Sequence, residues 1–309
     1  MRASVIIPVF NNETTIERLI QSLLDQTIPQ TEYEILAVDG GSKDKTLEIL
    51  EKYHAQTNLR IIKQEKNNGI GGGRNEGIKN SQSPILLFID GDMEVKPDWV
   101  ENHLLPIETG KWDGAVGSVE YKINENTKFT RYLNRPKRGA AAFQPGTPIN
   151  HRIFVFWNCA IRKKLLMEAG LFDESIITYG GEELEVIYRV EQTSPQALLT
   201  YNPNACSIHY QFRSLDRNLY LLEKFGEIVI PFLVKKHPPL ADEFKINLIK
   251  KSFIFRTALK ISASRLIKNR IIKTFPLLSD SISFLFIRFL LYSQCYKGVL
   301  HYYLSQDKN

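Results

Sequence analysis

Ile85-Leu86-Leu87-Phe88-Ile89-Asp90-Gly91-Asp92 is five apolar residues ending in two acids around a glycine. So short a continuous apolar run, closed by a turn signal, reads as a strand buried on both faces. The same grammar extends outward. Val5 to Val9, Tyr33 to Asp39 and Leu59 to Ile62 are further strands of this kind. Between them the period changes to that of a helix, with Ile16, Leu19, Ile20, Leu23 and Leu24, then Leu47, Ile49, Leu50 and Tyr53 after the Gly40-Gly41-Ser42 turn. The glycine-rich run 69–73 opens a third helix, and Pro97 opens a fourth that passes Trp99 and Leu104. Strand–helix units with short links predict an α/β fold with a mainly parallel, Rossmann-like sheet covered on both faces.

In open sheets of this type ligands bind beyond the carboxyl ends of the strands. Pro8-Val9-Phe10-Asn11, Asp39-Gly40-Gly41-Ser42 and Asp90-Gly91-Asp92 all fall on that rim. One Asp-Gly is an ordinary turn, but three such ends on one rim predict a shared site. Gly91 lets the backbone bend so that Asp90 and Asp92 converge, a pairing suited to a hard divalent cation that also binds phosphate oxygens. Gly180-Gly181-Glu182-Glu183 opens a later helix with carboxylates in its first turn. Those acids either complement the helix dipole or supply a general base. His209 is a structural histidine in isolation. Beside an Asp pair it is a candidate metal ligand, since imidazole suits Mn2+ better than Mg2+.

The remaining chain is less regular. Tyr121 to Phe156 is basic and turn-rich, with seven Lys and Arg against Glu125, and is either a functional loop or a solvated one. A short helix is expected from Arg162 to Gly170 and another from Glu182 to Val190, then strands at 197–199 and 205–209, with helix beyond Arg213. The 309 residues are 43% hydrophobic and 24% charged, a globular balance that excludes wholesale disorder. Three cysteines without paired spacing argue against a disulfide framework or a cysteine zinc site. Pro8 ends the first apolar run too early for a signal peptide, and no run approaches the ~20 apolar residues of a spanning helix. The expected location is the cytoplasm, or peripherally the cytoplasmic face of a membrane.

Residues 235–309 hold 14 Lys and Arg against four Asp and Glu, whereas the rest of the chain is weakly acidic. Lys245 to Lys273 interleaves bases with Ile, Leu and Phe, and Phe284 to Tyr292 is strongly apolar. This favours a basic amphipathic element on an anionic membrane surface. The alternatives are packing on the rest of the chain or against a second copy in a homodimer. Nucleic acid is not expected, because no RNA-binding or helix-turn-helix signature accompanies the charge.

Five blocks occur in one order: Ser4 to Asn12, Ala37 to Thr46, Asn67 to Gly77, Phe88 to Asp92, and Phe172-Asp173-Glu174 followed by Gly180 to Glu183. Together with His209 they make residues 1–226 resemble glycosyltransferase family 2. The resemblance implies the GT-A fold: a nucleotide-sugar-binding part (1–120), an acceptor-binding half (121–226) and, outside the match, a helical C-terminal extension (227–309). It also implies inverting transfer from a nucleoside diphosphate sugar, with a lean toward UDP, to a saccharide or lipid-linked acceptor. Pro8, Phe10, Asp39, Arg74 and Asp90 would then serve the nucleotide. Asp92, His209 and Asp90 would hold Mn2+ or Mg2+, and Trp157 and Asn158 would face the acceptor. The family's base aligns with Glu183, where Glu-Glu replaces the usual Glu-Asp, so Glu182 stays a candidate. Gly40 stands where many members carry a second Asp, and Trp157-Asn158 replaces a Gly-Asn or Gly-Gly pair. A metal-dependent nucleotidyltransferase and a non-catalytic nucleotide-sugar-binding protein are the competing classes.

Overall fold

The computed structural model describes residues 1–54, 58–123, 125–177, 180–210 and 213–306. The chain forms two compact units. The first comprises Met1–Lys122, Pro136–Ile177 and Glu182–Gln211, and the second Ile123–Arg135, Thr178–Gly181 and Phe212–Asn309.

The first unit begins with β1 (Ala3–Val9), α1 (Ile16–Leu24), β2 (Tyr33–Asp39), α2 (Thr46–His54), β3 (Leu59–Lys63), α3 (Gly69–Asn80) and β4 (Ile85–Ile89). It continues through β5 (Met93–Val95), α4 (Trp99–Glu108) and β6 (Gly114–Tyr121). The chain then makes α5 (Lys128–Leu133), which belongs to the second unit, and returns for β7 (Asn158–Arg162), α6 (Lys163–Glu168), α7 (Glu182–Thr193) and β8 (Leu199–His209). The eight strands form one sheet in the order β3-β2-β1-β4-β7-β6-β8-β5. β3, β2, β1 and β4 are parallel, as the strand–helix alternation predicts. β7 enters antiparallel between β4 and β6, and β5 pairs antiparallel with β8, so the sheet as a whole is mixed.

The apolar strands are continuous because both faces are covered. Val5, Ile7, Leu87 and Ile89 point to the face carrying Ile16, Leu19, Ile20, Leu23, Trp99 and Leu104 of α1 and α4. Ile6, Leu36, Leu86 and Phe88 point to the other, against Ile78, Leu165, Leu166, Val186 and Ile187 of α3, α6 and α7. β8 is one strand rather than the two expected pieces. Its register against β6 slips between Gly117 and Ser118, and this bulge is why its apolar pattern reads as interrupted.

The second unit contains α5 with α8 (Leu215–Lys224), α9 (Ile230–Lys236), α10 (Leu240–Glu243), α11 (Ile246–Lys251), α12 (Phe253–Ser262), α13 (Arg265–Thr274) and α14 (Asp280–Gln306). α14 is its spine. Ile287, Leu290, Val299 and Leu300 are buried, the last two against Ile230, Ile246 and Ile249. Residues 123–135, grouped with the acceptor half by sequence, cluster with this helical unit. Asp280 accepts from Lys128 Nζ at 2.8 Å and Arg131 Nε at 2.9 Å, and Tyr132 meets Phe284 edge-on at 5.7 Å. Among the described residues no helix is long and apolar enough to cross a membrane.

α3 is the element that positions the site. It lies directly on β1, and a Cβ at Gly77 would overlap the fully buried Ile6 side chain. Gly77→Ala is therefore expected to cost about 1–3 kcal/mol, the usual range for overpacking a filled core. Urea unfolding of the purified variant measures it, and an unchanged midpoint would show that the helix can lift without cost.

Candidate active site

The rim turns are tied together by side chains. β1 runs out at Val9, leaving Phe10 half-exposed and Asn11 in the left-handed region at φ 55°. Asn11 N–H donates to Ser42 Oγ at 2.9 Å, and Lys43 N–H donates to Asn11 Oδ1 at 2.8 Å. Asp39 is buried at the end of β2, accepting from Gly41 N–H at 3.0 Å and from the Ser42 hydroxyl at 2.5 Å. Its carboxylate therefore fixes its own turn next to Phe10's.

Beyond β4 the chain turns at Asp90-Gly91, with Met93 N–H donating to Asp90 O at 3.2 Å and Thr15 Oγ1 to Gly91 O at 2.9 Å. β5 then pairs with β8 so that Met93 lies opposite His209. This brings Asp92 Oδ2 to 3.4 Å from His209 Nε2. The other ring nitrogen, Nδ1, is buried and has no hydrogen-bond partner among the described residues. Tyr121, at the end of β6, stands 5.5 Å from the imidazole by ring centres. No group of three His, Cys, Asp or Glu residues able to hold a metal is formed among the described residues. Asp90 gives one oxygen, Oδ1, to a different partner.

That partner is Arg74. The first unit places it on α3 beneath the rim, with its side chain 1% exposed. Nη2 donates to Glu183 Oε1 at 2.9 Å and to Asp90 Oδ1 at 3.3 Å, and Nη1 donates to Glu182 Oε1 at 3.3 Å. The guanidinium carbon lies 5.5 Å from the ring centres of both Phe156 and Phe172. Neighbouring Asn75 pins the loop after α6, donating to Phe172 O and Glu174 Oε1 at 2.9 Å each. One cation and three carboxylates thus occupy a poorly solvated place. Burial opposes the charge on Arg74, but Glu183, Asp90 and Glu182 outweigh it and keep the guanidinium protonated. Burial likewise pushes the carboxyls of Asp90 and Glu182 up, against the pull of Arg74. Glu183 rises from 4.5 to about 7 through burial, with Arg74 pulling it down and Glu182 and Asp90 pushing it up. Glu183 is also the more accessible of the glutamate pair, 19% exposed against 5% for Glu182.

Two residues expected at the ligands lie inside the protein. Arg74, expected beside the nucleotide, is fully buried beneath its carboxylates. Asn158 was expected to face an acceptor, but it is fully buried and its amide is fully used. Oδ1 accepts from Trp99 Nε1 and meets His103 Nε2, each at 2.8 Å, and Nδ2 donates to Ser118 O at 2.7 Å and Ala205 O at 3.1 Å. It fastens β6, β7, β8 and α4 together. Trp157 is half-buried and packs on the same core as Trp99. Pro8 lies in β1 close under α3, at Gly73. The residues that sequence reasoning did not single out are Tyr121 and Phe156, and Phe172 was named only as the start of the fifth block. Only the placement of Phe156 shortly before β7 could have drawn attention to it.

The chain has a GT-A-like fold, shown by superposition on solved structures. S. aureus TarS 1–349 in complex with UDP-GlcNAc superposes with a TM-score of 0.57 at 20% identity, covering 73% of this chain and 66% of that one. GalNAc-T7 with UDP, GalNAc and Mn2+ superposes with a TM-score of 0.55 at 18% identity, covering 77% and 50%. Residues 4–170 match the family described as Glycosyl transferase family 2, and the chain belongs to that family. Glycosyltransferase AglE of Haloferax volcanii is 37% identical over 131 residues, 42% of this chain and 43% of AglE, so the match spans less than half of that relative.

The shift at Glu183 has a measurable consequence. Between pH 4.5 and about 7 the folded chain keeps a proton there that the unfolded chain has released. This group's contribution to stability is fully present below pH 4.5 and is lost as pH rises through about 7. Urea unfolding at a series of pH values should show wild-type stability declining across that window relative to Glu183→Gln. Parallel profiles for the two proteins would place the group in ordinary solvent.

Proposed function

We propose that the chain is an inverting glycosyltransferase that moves a sugar from a nucleoside diphosphate sugar, UDP-linked, to a hydroxyl of a saccharide or lipid-linked acceptor. Its setting would be the synthesis of a cell-surface polysaccharide or glycolipid, and the sugar a hexose or N-acetylhexosamine. The observation that carries the reading is the meeting, at the ends of β4, β5 and β8, of Asp92 with His209 and of Asp90 with the Arg74–Glu183 pair. Family membership and the fold shared with UDP-bound neighbours support it.

The donor set suits a divalent cation. Asp92 offers a hard carboxylate oxygen and His209 a borderline imidazole nitrogen 3.4 Å away, and such a mixed pair with room for further oxygen ligands fits Mn2+ or Mg2+. Asp92 and His209 would hold the ion, with Asp90 oriented by Arg74 as a third oxygen donor. When bound, such an ion neutralises charge on the departing diphosphate. Phe10, half-exposed beside the Asp39 turn, presents an aromatic surface to the nucleoside.

The chain's own residues then handle the acceptor. Glu183, near neutrality in its proton affinity, accepts the proton of the attacking hydroxyl as the oxygen displaces the nucleoside diphosphate from the opposite face. One displacement inverts the anomeric centre. Arg74 acts through Glu183 and Asp90 as a positioning residue, balancing the charge at both ends of the site. Glu182 lies deeper and shares the same guanidinium, so it tunes Glu183 electrostatically.

Residues 1–226 are proposed to form the catalytic part. With UDP-sugars screened in the presence of Mn2+, Glu183→Gln is expected to lower kcat by roughly a hundredfold or more while donor affinity changes little. Asp92→Ala should abolish the Mn2+-dependent turnover of a chain that still folds. A fully active Asp92→Ala would sink the ion assignment. The larger loss falling on Glu182→Gln would move the base to Glu182.

A further inference from the structure

The second unit has a surface that the proposed chemistry does not use. Residues 244–279 contain nine Lys and Arg and no Asp or Glu. α12 and α13, which occupy most of this stretch, bury no residue within themselves. Phe253, Ile254, Ile261, Leu266 and Leu277 are 73, 81, 60, 77 and 86% exposed. Folding normally hides such side chains, and here they stand out in the most basic part of the chain. Beside Phe253 and Ile254, where α11 passes into α12, is a cavity of about 440 Å³ lined by Ile249, Lys250, Arg256, Leu300, Tyr303 and Leu304. Lys250 Nζ lies 4.6 Å from the Tyr303 ring centre, and Arg256 donates to Lys250 O at 3.3 Å. No carboxylate pairs with either cation among the described residues.

We infer that this face docks on an anionic lipid surface. Phe253 and Ile254 enter the acyl boundary, and the cavity between Lys250 and Arg256 receives lipid phosphate. The combination decides the partner. Exposed aliphatic side chains need an apolar medium, and the basic residues around them need negative charge; an anionic bilayer supplies both within a few ångströms of depth. Nucleic acid would satisfy the bases but leave Ile254, Leu266 and Leu277 in water. A second copy of the chain would cover the apolar side chains but set nine bases against nine across a two-fold axis. In the apolar stretch 282–304, α14 turns Ile287, Leu290, Val299 and Leu300 into the core, whereas Ile282, Leu285, Phe286, Phe289 and Tyr292 stay exposed. The inference stands apart from the catalytic reading.

Co-sedimentation of the full chain with phosphatidylglycerol-containing vesicles tests it, with phosphatidylcholine vesicles and raised salt as comparison arms. Binding is expected to require the anionic lipid and to weaken with salt. Phe253→Ser with Ile254→Ser, and separately Lys250→Gln with Arg256→Gln, should each weaken partitioning roughly tenfold or more. Leu105→Ser, at an exposed leucine of the first unit, should leave it unchanged. Circular dichroism and a thermal melt confirm that each variant folds. Binding indifferent to lipid charge, or folded double variants that bind as wild type does, would overturn the proposal. So would light scattering showing that the wild-type chain is a dimer which Phe253→Ser with Ile254→Ser converts to monomer, since the face would then be a self-association surface.

Discussion

The first unit depends on one buried cation. Arg74 lies beneath the rim of the sheet with Asp90, Glu182 and Glu183 around it and its guanidinium over the rings of Phe156 and Phe172. Three carboxylates with one cation in a desolvated place cannot all ionise freely, so at least one must hold its proton into the neutral range. Glu183 is the one whose carboxyl burial and its two acidic neighbours push to about 7, and unlike Glu182 it keeps some access to solvent. The charge imbalance therefore leaves a carboxyl that gains and loses its proton near neutrality, and it does so at the cost of stability. The glycines of α3 matter for the same reason. They let the helix lie on β1, and without that approach Arg74 could not reach the end of β4 from below.

Much of the fold was legible because the local signals agree with the tertiary arrangement. β1 to β4 are apolar runs ending in turn residues, α1 and α2 carry an apolar face each and α3 is marked by its glycine run, so strands and helices alternate visibly and the parallel order follows. β5, β6 and β7 gave no such signal. β5 has three residues, β6 is rich in small residues with Gly114 and Gly117, and β7 is Asn158-Cys159-Ala160-Ile161-Arg162. Their pairing is set by contacts far along the chain, and Asn158 in particular looks like a surface amide until its four partners are in place. The antiparallel entry of β7 was illegible for that reason.

The candidate site was legible at its rim and opaque beneath it. Asp90, Asp92 and His209 could be named because their residue types suit an ion, and the pairing of β5 with β8 brings Asp92 and His209 together. Arg74 could be named as a motif residue, but its burial could not be read, since a sequence does not say which arginine loses its water. The membership of residues 123–135 in the second unit was equally hidden. It rests on Asp280, about 150 positions away, accepting from Lys128 and Arg131.

The central claim is that the Arg74 cluster leaves one carboxyl, that of Glu183, titrating close to neutrality. Carbon-13 NMR of protein labelled at the glutamate side-chain carboxyls reads this directly as pH is raised. The account predicts one resonance with a midpoint near 7 that is missing from the spectrum of Glu183→Gln. If every glutamate carboxyl instead titrated below about pH 5, in the range of solvated glutamates, Glu183 would be an ordinary surface acid and the electrostatic basis of the site would be wrong.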